Sequence, residues 1–130
     1  MALGERIGRV LPPGAVVLLS GDLGAGKTTI AKGIVAAVGG ADADEVSSPT
    51  FSLIHEYRAA ARVYHVDLYR LEEAREVEAL GLDELFDGQA VVLVEWGERF
   101  PQLLPPERIE IRLEHAGDDE RIITVSGIQP

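Results

Sequence analysis

The sequence predicts an α/β fold: a mixed sheet, with a parallel core and antiparallel hairpins, covered by helices. Three observations carry that expectation. Ala15 to Ser20 (AVVLLS) and Ala90 to Val94 (AVVLV) are short, continuous apolar runs, as expected of strands buried on both faces. The first run leads into a glycine-rich loop, Gly21 to Gly26, and then a helical segment, Lys27 to Val38 (KTTIAKGIVAAV), stopped by Gly39-Gly40. Strand, glycine loop and helix make the first half of a βαβ unit. Finally, Arg108–Leu113 (RIEIRL) and Arg121–Val125 (RIITV) alternate cleanly around His115-Ala116-Gly117-Asp118-Asp119, the pattern of a closing antiparallel hairpin with one wet face.

The other elements follow in order. Leu3, Ile7, Val10 and Leu11 recur at helical spacing before a turn at Pro12-Pro13-Gly14. Ala41 to Pro49 is acidic and turn-rich, and reads as an exposed loop. Phe51–Tyr57 and Arg62–Leu68 are β-prone runs separated by Arg58-Ala59-Ala60-Ala61, which predicts a hairpin. Glu72 to Leu80 is helical in period, and Leu82 to Phe86 adds a further turn. On this pattern only the two central strands are expected to be parallel, with the rest of the sheet antiparallel.

Composition bounds the function. The 130 residues fit one domain, 1–130, and 46% hydrophobic against 26% charged residues is the balance of a folded protein. A net charge of -10 argues against direct gripping of nucleic acid, because phosphate contacts need clustered Lys and Arg. The absence of cysteine removes disulfides, thiolate metal sites and a cysteine nucleophile. No apolar stretch approaches the roughly 18 residues of a membrane span. The opening Met1–Arg6 lacks the apolar stretch of a signal peptide. A cytoplasmic protein with no membrane attachment is expected.

Gly21-Asp22-Leu23-Gly24-Ala25-Gly26-Lys27-Thr28 satisfies G-x-x-x-x-G-K-[ST], the Walker A pattern. With 14 Gly and two Lys in the chain, a shuffled sequence would contain about 0.002 such matches. The required context, a buried strand before and a helix after, is also present. Glycines let successive N–H groups point inward as a nest for phosphate oxygens. The helix that starts near Lys27 adds roughly half a positive charge at the same place. Lys27 is then expected to reach the β- and γ-phosphates, and the Thr28 hydroxyl to bind Mg2+. A triphosphate carries roughly four negative charges, which Lys27 and a helix dipole cannot balance on an acidic protein, so Mg2+ is expected as cofactor. The fold expected is therefore P-loop NTPase-like, with three layers.

A P-loop enzyme needs an acid at the tip of a neighbouring strand. Glu95 follows Val91-Val92-Leu93-Val94, as a Walker B strand would place it. Asp67 ends Val63-Tyr64-His65-Val66, a less apolar run that reads as more surface-like. The chain contains no asparagine, so the Asn-Lys-x-Asp guanine reader of GTPases is missing and ATP is favoured. A small-molecule kinase and a nucleotide-gated interaction module stay open at this point, although the short chain leaves little room for a lid and an acceptor pocket. His65 reads as a hydrogen-bonded structural residue, and His55 and His115 as surface residues. Arg58, Arg62, Arg70 and Arg75 read as partners of Glu72, Glu73, Glu76 and Glu78 rather than as a basic patch.

Taken together, Gly21–Thr29 (GDLGAGKTT), Ser48-Pro49-Thr50-Phe51, His65–Leu71 (HVDLYRL) and Glu95-Trp96-Gly97-Glu98 resemble the TsaE (YjeE) family, the bacterial ATPase of tRNA threonylcarbamoyladenosine biosynthesis. The resemblance runs over nearly the whole chain. It implies a P-loop ATPase acting with the TsaB–TsaD pair, in which TsaD transfers threonylcarbamoyl to the adenosine beside the anticodon. By position it implies that Gly21, Asp22, Leu23, Gly24, Ala25, Gly26, Lys27, Thr28 and Thr29 hold ATP, and that Thr28 and Glu95 hold Mg2+. Thr50 would stand as a switch I-like threonine sensing the γ-phosphate. Asp67 would lie near the attacking water, and Trp96 beside the nucleotide. Members usually start with a further segment carrying a Ser or Thr near the adenine, before the helix that here begins at Leu3. Gly97 stands where many members have proline. The acidic charge fits a protein that meets tRNA only indirectly, through its protein partners.

Overall fold

The computed structural model describes residues 2–21, 26–39, 54–58, 62–86, 88–117 and 120–128. Six strands form one sheet in the order β2-β3-β4-β1-β5-β6: β1 (Val16–Gly21), β2 (Ile54–Arg58), β3 (Arg62–Asp67), β4 (Val91–Glu95), β5 (Ile109–His115) and β6 (Arg121–Ser126). Helices α1 (Ala2–Val10) and α2 (Lys27–Gly39) cover one face, and α3 (Ala74–Glu78) and α4 (Leu82–Leu85) belong to the other. Two 3₁₀ turns, Gly97–Arg99 and Pro101–Leu103, lead from β4 towards β5.

The direction of two strands departs from expectation. Parallel pairing is not confined to the two central strands, because β3 lies parallel to β4 and β5 parallel to β1. Only the outermost partners, β2 on β3 and β6 on β5, are antiparallel. The reason is that alternation reports which faces are buried, not which way the neighbour runs. β5 alternates because its outer face is open, yet its inner edge pairs with β1 in parallel. β3 is also less surface-like than its composition implies, since His65, Val66 and Asp67 are all buried.

Side-chain alternation splits the core into two layers. Val17, Leu19, Val63, Leu93 and Ile111 face α1 and α2, where Ile7, Ile30 and Ile34 meet them. Leu18, Val66, Val92 and Val94 face the other way, towards Leu68, Val77, Leu82, Phe100 and Leu104. Each fully buried aliphatic of this kind contributes about 1.5–3 kcal/mol. α1 lies very close to α2: a Cβ on Gly4 would sit 2.5 Å from the Ile30 carbonyl oxygen, so only glycine permits the approach. The α3 segment is shorter than its period predicts. The Glu76 carboxylate accepts the Glu72 and Glu73 backbone N–H groups at 3.2 and 3.0 Å, so it caps the helix just behind Ala74. Arg62 pairs with Glu56 at 3.4 Å and Arg75 with Glu73 at 2.5 Å, so these two arginines are matched by acids.

Candidate active site

Three parallel strands end side by side at one edge of the sheet. In register, Asp67 of β3 stands opposite Glu95 of β4, and Glu95 stands opposite Leu19 of β1. The period of a strand puts residues 63, 65 and 67 on one face, and 91, 93 and 95 on the same face of the next strand. The first residues of each set, Val63, Val91 and Leu93, pack under α2, so His65, Asp67 and Glu95 are carried on the face that meets this helix.

Lys27 is the first residue of α2 and is only 5% exposed. Its Nζ donates to the Gly21 carbonyl oxygen at the end of β1, at 2.8 Å, and lies 3.8 Å from the centroid of the Trp96 ring. The carbonyl and the aromatic face hold the ammonium beside the helix N-terminus, where an anion is favoured. Gly26, at φ 101°, occupies a backbone region that side chains avoid and turns the loop into α2. Thr28 is half-buried in the first turn of α2, and Thr29 is exposed. Asp22, Leu23, Gly24 and Ala25 lie outside the described residues, as does Thr50 with the rest of the Ser48–Phe51 motif.

The acids sit in a dry setting. Glu95 and Asp67 are 3% and 7% exposed. Burial pushes the Asp67 carboxyl above its ordinary value of 3.8. The Tyr69 N–H, donated to Oδ1 at 2.9 Å, opposes the rise, the Glu95 carboxylate adds to it, and His65 and Lys27 oppose it. His65 Nε2 lies 2.5 Å from Glu95 Oε2. The structural reading of His65 therefore holds in one sense, but its hydrogen-bond partner is the site acid itself. His115 is exposed as expected, and the His55 side chain lies outside the description.

Trp96 follows Glu95 directly and carries the left-handed backbone (φ 65°), rare outside glycine. Its ring meets Lys27 and also Tyr69, with centroids 5.0 Å apart. Arg99, in the turn just beyond, donates from one Nη2 to the carbonyl oxygens of Leu68 and Tyr69, at 2.5 and 2.9 Å. The segment after β3 is thereby tied to the segment after β4. Nothing in the sequence pattern drew attention to Arg99, since the contact spans 31 residues.

The donor set suits a hard divalent cation that is shared with phosphate. Asp67, Glu95 and Thr28 offer only oxygen, the preference of Mg2+. Among the described residues no group of three or more His, Asp or Glu side chains is arranged to hold a metal. A cation here would take its remaining ligands from phosphate and water, as Mg2+ commonly does. A groove of about 430 Å³ belongs to the other layer, between α3, α4 and the Pro101–Leu103 turn, and carries no cationic side chain.

Comparison with known proteins bears on both fold and family. A family model described as "Threonylcarbamoyl adenosine biosynthesis protein TsaE" matches residues 1–123. The tRNA threonylcarbamoyladenosine biosynthesis protein TsaE of Bacillus subtilis (strain 168) is 50% identical over 117 residues, which cover 89% of this chain and 72% of the relative. Its counterpart in Treponema pallidum (strain Nichols) is 40% identical over 123 residues, covering 95% and 90%. The crystal structure of Bacillus subtilis YdiB aligns with a TM-score of 0.75 at 40% identity, over 95% of this chain and 75% of that one. The P-loop NTPase-like three-layer fold is thus a finding, not only an expectation.

Proposed function

Since the chain belongs to the TsaE family, we propose that it binds Mg-ATP and hydrolyses it slowly, as an accessory protein of tRNA threonylcarbamoyladenosine biosynthesis working with a TsaB–TsaD pair. One observation carries the reading: Lys27, Asp67 and Glu95 converge, nearly water-free, where three parallel strands end beside the N-terminus of α2.

The chemistry follows from those positions. The α2 terminus and the Lys27 ammonium would hold the phosphate chain, with Nζ passing from the Gly21 carbonyl to a phosphate oxygen. Thr28 and Glu95 would hold Mg2+, which when bound offsets the phosphate charge that an acidic protein cannot. Asp67, with its carboxyl made more basic by burial, orients the attacking water and takes up its proton. The Tyr69 N–H fixes the Asp67 carboxylate, and Arg99 fixes the turn that carries Tyr69. Trp96 closes the side of the site next to Lys27 against solvent. With a net charge of -10, contact with tRNA is made through the protein partners and in the cytoplasm.

The test is phosphate release from Mg-ATP by the purified protein, alone and with a matched TsaB–TsaD pair. A low basal rate that climbs on adding the pair is expected. An unchanged rate, with nucleotide still bound, would replace this reading by a module in which binding alone is the signal.

A further inference from the structure

His65 is wholly buried in β3, two residues before Asp67 and on the same face. Two of its neighbours in the layer under α2 are aliphatic, Val63 two residues before it and Leu93 opposite it in β4, while His55 stands opposite it in β2. A leucine or valine would fill such a position without bringing a polar ring into a dry interior. The ring is instead aimed at one atom. Nε2 lies 2.5 Å from Glu95 Oε2, across 30 residues of sequence, while Nδ1 is buried and meets no hydrogen-bond partner among the described residues. With a carboxylate oxygen as the acceptor, the bond is made by the tautomer that carries its hydrogen on Nε2. Among the described residues only Nε2 of the two ring nitrogens has a partner, so the bond to Glu95 is the interaction that accounts for a histidine here.

We propose that His65 is the positioning residue of Glu95. It ties Oε2 to β3 and leaves Oε1 as the oxygen available to the cation of the nucleotide complex. Without that bond the Glu95 side chain has free rotamers, and the ordering needed for cation binding must be met each time a cation binds. The proposal rests on the reading that Glu95 faces Mg2+, and the experiment separates the two.

ADP binding is followed by calorimetry in EDTA and at graded Mg2+ for four proteins: wild type, Glu95→Ala, His65→Leu and His65→Gln. His65→Leu keeps the bulk and removes the donor, whereas His65→Gln places an amide N–H about where Nε2 stood. The expected result is a Mg2+ midpoint about 10–100-fold higher in His65→Leu, return to within a few-fold of wild type in His65→Gln, and unchanged ADP affinity in EDTA. Glu95→Ala should lose the Mg2+ enhancement altogether. An unshifted midpoint in His65→Leu, with Glu95→Ala still losing the enhancement, would overturn the role of His65 and leave Glu95 in place. An unshifted midpoint in Glu95→Ala would overturn both. Should His65→Leu lose its cooperative melt, His65→Asn against His65→Gln decides. The shorter amide falls short of Oε2, so a raised midpoint in the Asn variant alone supports the proposal and equal midpoints defeat it.

Discussion

The two ends of the β3–β4 ladder contrast sharply. At one end Val63 stands opposite Val91, both buried under α2. Four residues on, Asp67 stands opposite Glu95. The first pairing contributes hydrophobic burial. The second sets two carboxylates side by side in a dry place, which cross-strand energetics disfavour. The same pair of strands therefore stabilises the fold at one end and gives up stability at the other. That is the pattern expected where a rigid scaffold presents a reactive edge. Between the ends, His65 and Leu93 mark the boundary, one tied to the site acid and one packed in the core.

Substitution at the apolar end should have the largest effect on folding. Leu93 is fully buried in the central strand, among Val17, Val63 and Ile34. Leu93→Ala is expected to lower stability by about 3 kcal/mol, through lost transfer energy and the cavity left behind. Urea unfolding measures it. A loss well under about 1 kcal/mol would mean that this end of the ladder is not the stabilising one. At the polar end the effect falls on binding. Lys27→Ala removes the buried cation at the phosphate loop, and ATP affinity is expected to drop at least about a hundredfold, as for loss of a charge-assisted contact. Calorimetry with Mg-ATP checks it, and unchanged affinity would move the nucleotide elsewhere.

Asp67 allows the contrast to be tested by sign. Its carboxyl sits above the ordinary 3.8 because it is buried. The folded state thus holds the proton more tightly than the unfolded chain does. That favours folding at acid pH, and the advantage is lost as pH rises through the folded value. Asp67→Asn keeps an oxygen for the Tyr69 N–H and removes the buried charge. The variant is expected to melt a few degrees above wild type at pH 7–8, with the gap closing as pH falls towards 4. Turnover should fall about a hundredfold, as when a general base is removed. A gap that widens on acidification would contradict the assignment.

How much of this is legible without coordinates depends on the range of the interaction. The Walker A pattern is local: Gly21 to Thr28 and the helix behind it can be read directly, because the glycines, the helix start and the lysine all lie within eight consecutive residues. Glu95 is legible for a similar reason, since four apolar residues before an acid describe a buried strand with a polar tip. β3 is harder. Its run of Tyr64, His65 and Asp67 looks wet, and only the neighbouring strands show that His65 and Asp67 are buried while Tyr64 packs part-buried against the other layer. The spacing of His65 and Asp67 does put both on one face, a usable signal that points to a shared environment but names no partner. The parallel direction of β5, the His65–Glu95 bond and the Arg99 contacts are set by chain crossings, about which local periodicity is silent.

The smallest effect is expected at Arg99, which joins the segments that follow the two contrasted strands. The guanidinium lies at the surface, yet one nitrogen donates to both the Leu68 and Tyr69 carbonyls. Truncating it leaves the Leu68 oxygen without that donor, and a hydrogen bond to a charged group at a part-exposed place is worth about 1 kcal/mol. Most of that loss should be local. Leu68 N–H is bonded to the Glu95 carbonyl at 3.0 Å and Leu71 N–H to the Leu68 carbonyl at 3.1 Å, so both amides report on the turn. In Arg99→Ala these amides are expected to exchange hydrogen several-fold faster, while the β1 and β4 amides exchange as in wild type. Uniform acceleration across the sheet would instead make Arg99 part of the global fold, and the polar end of the ladder would then owe its order to the core rather than to this one clamp.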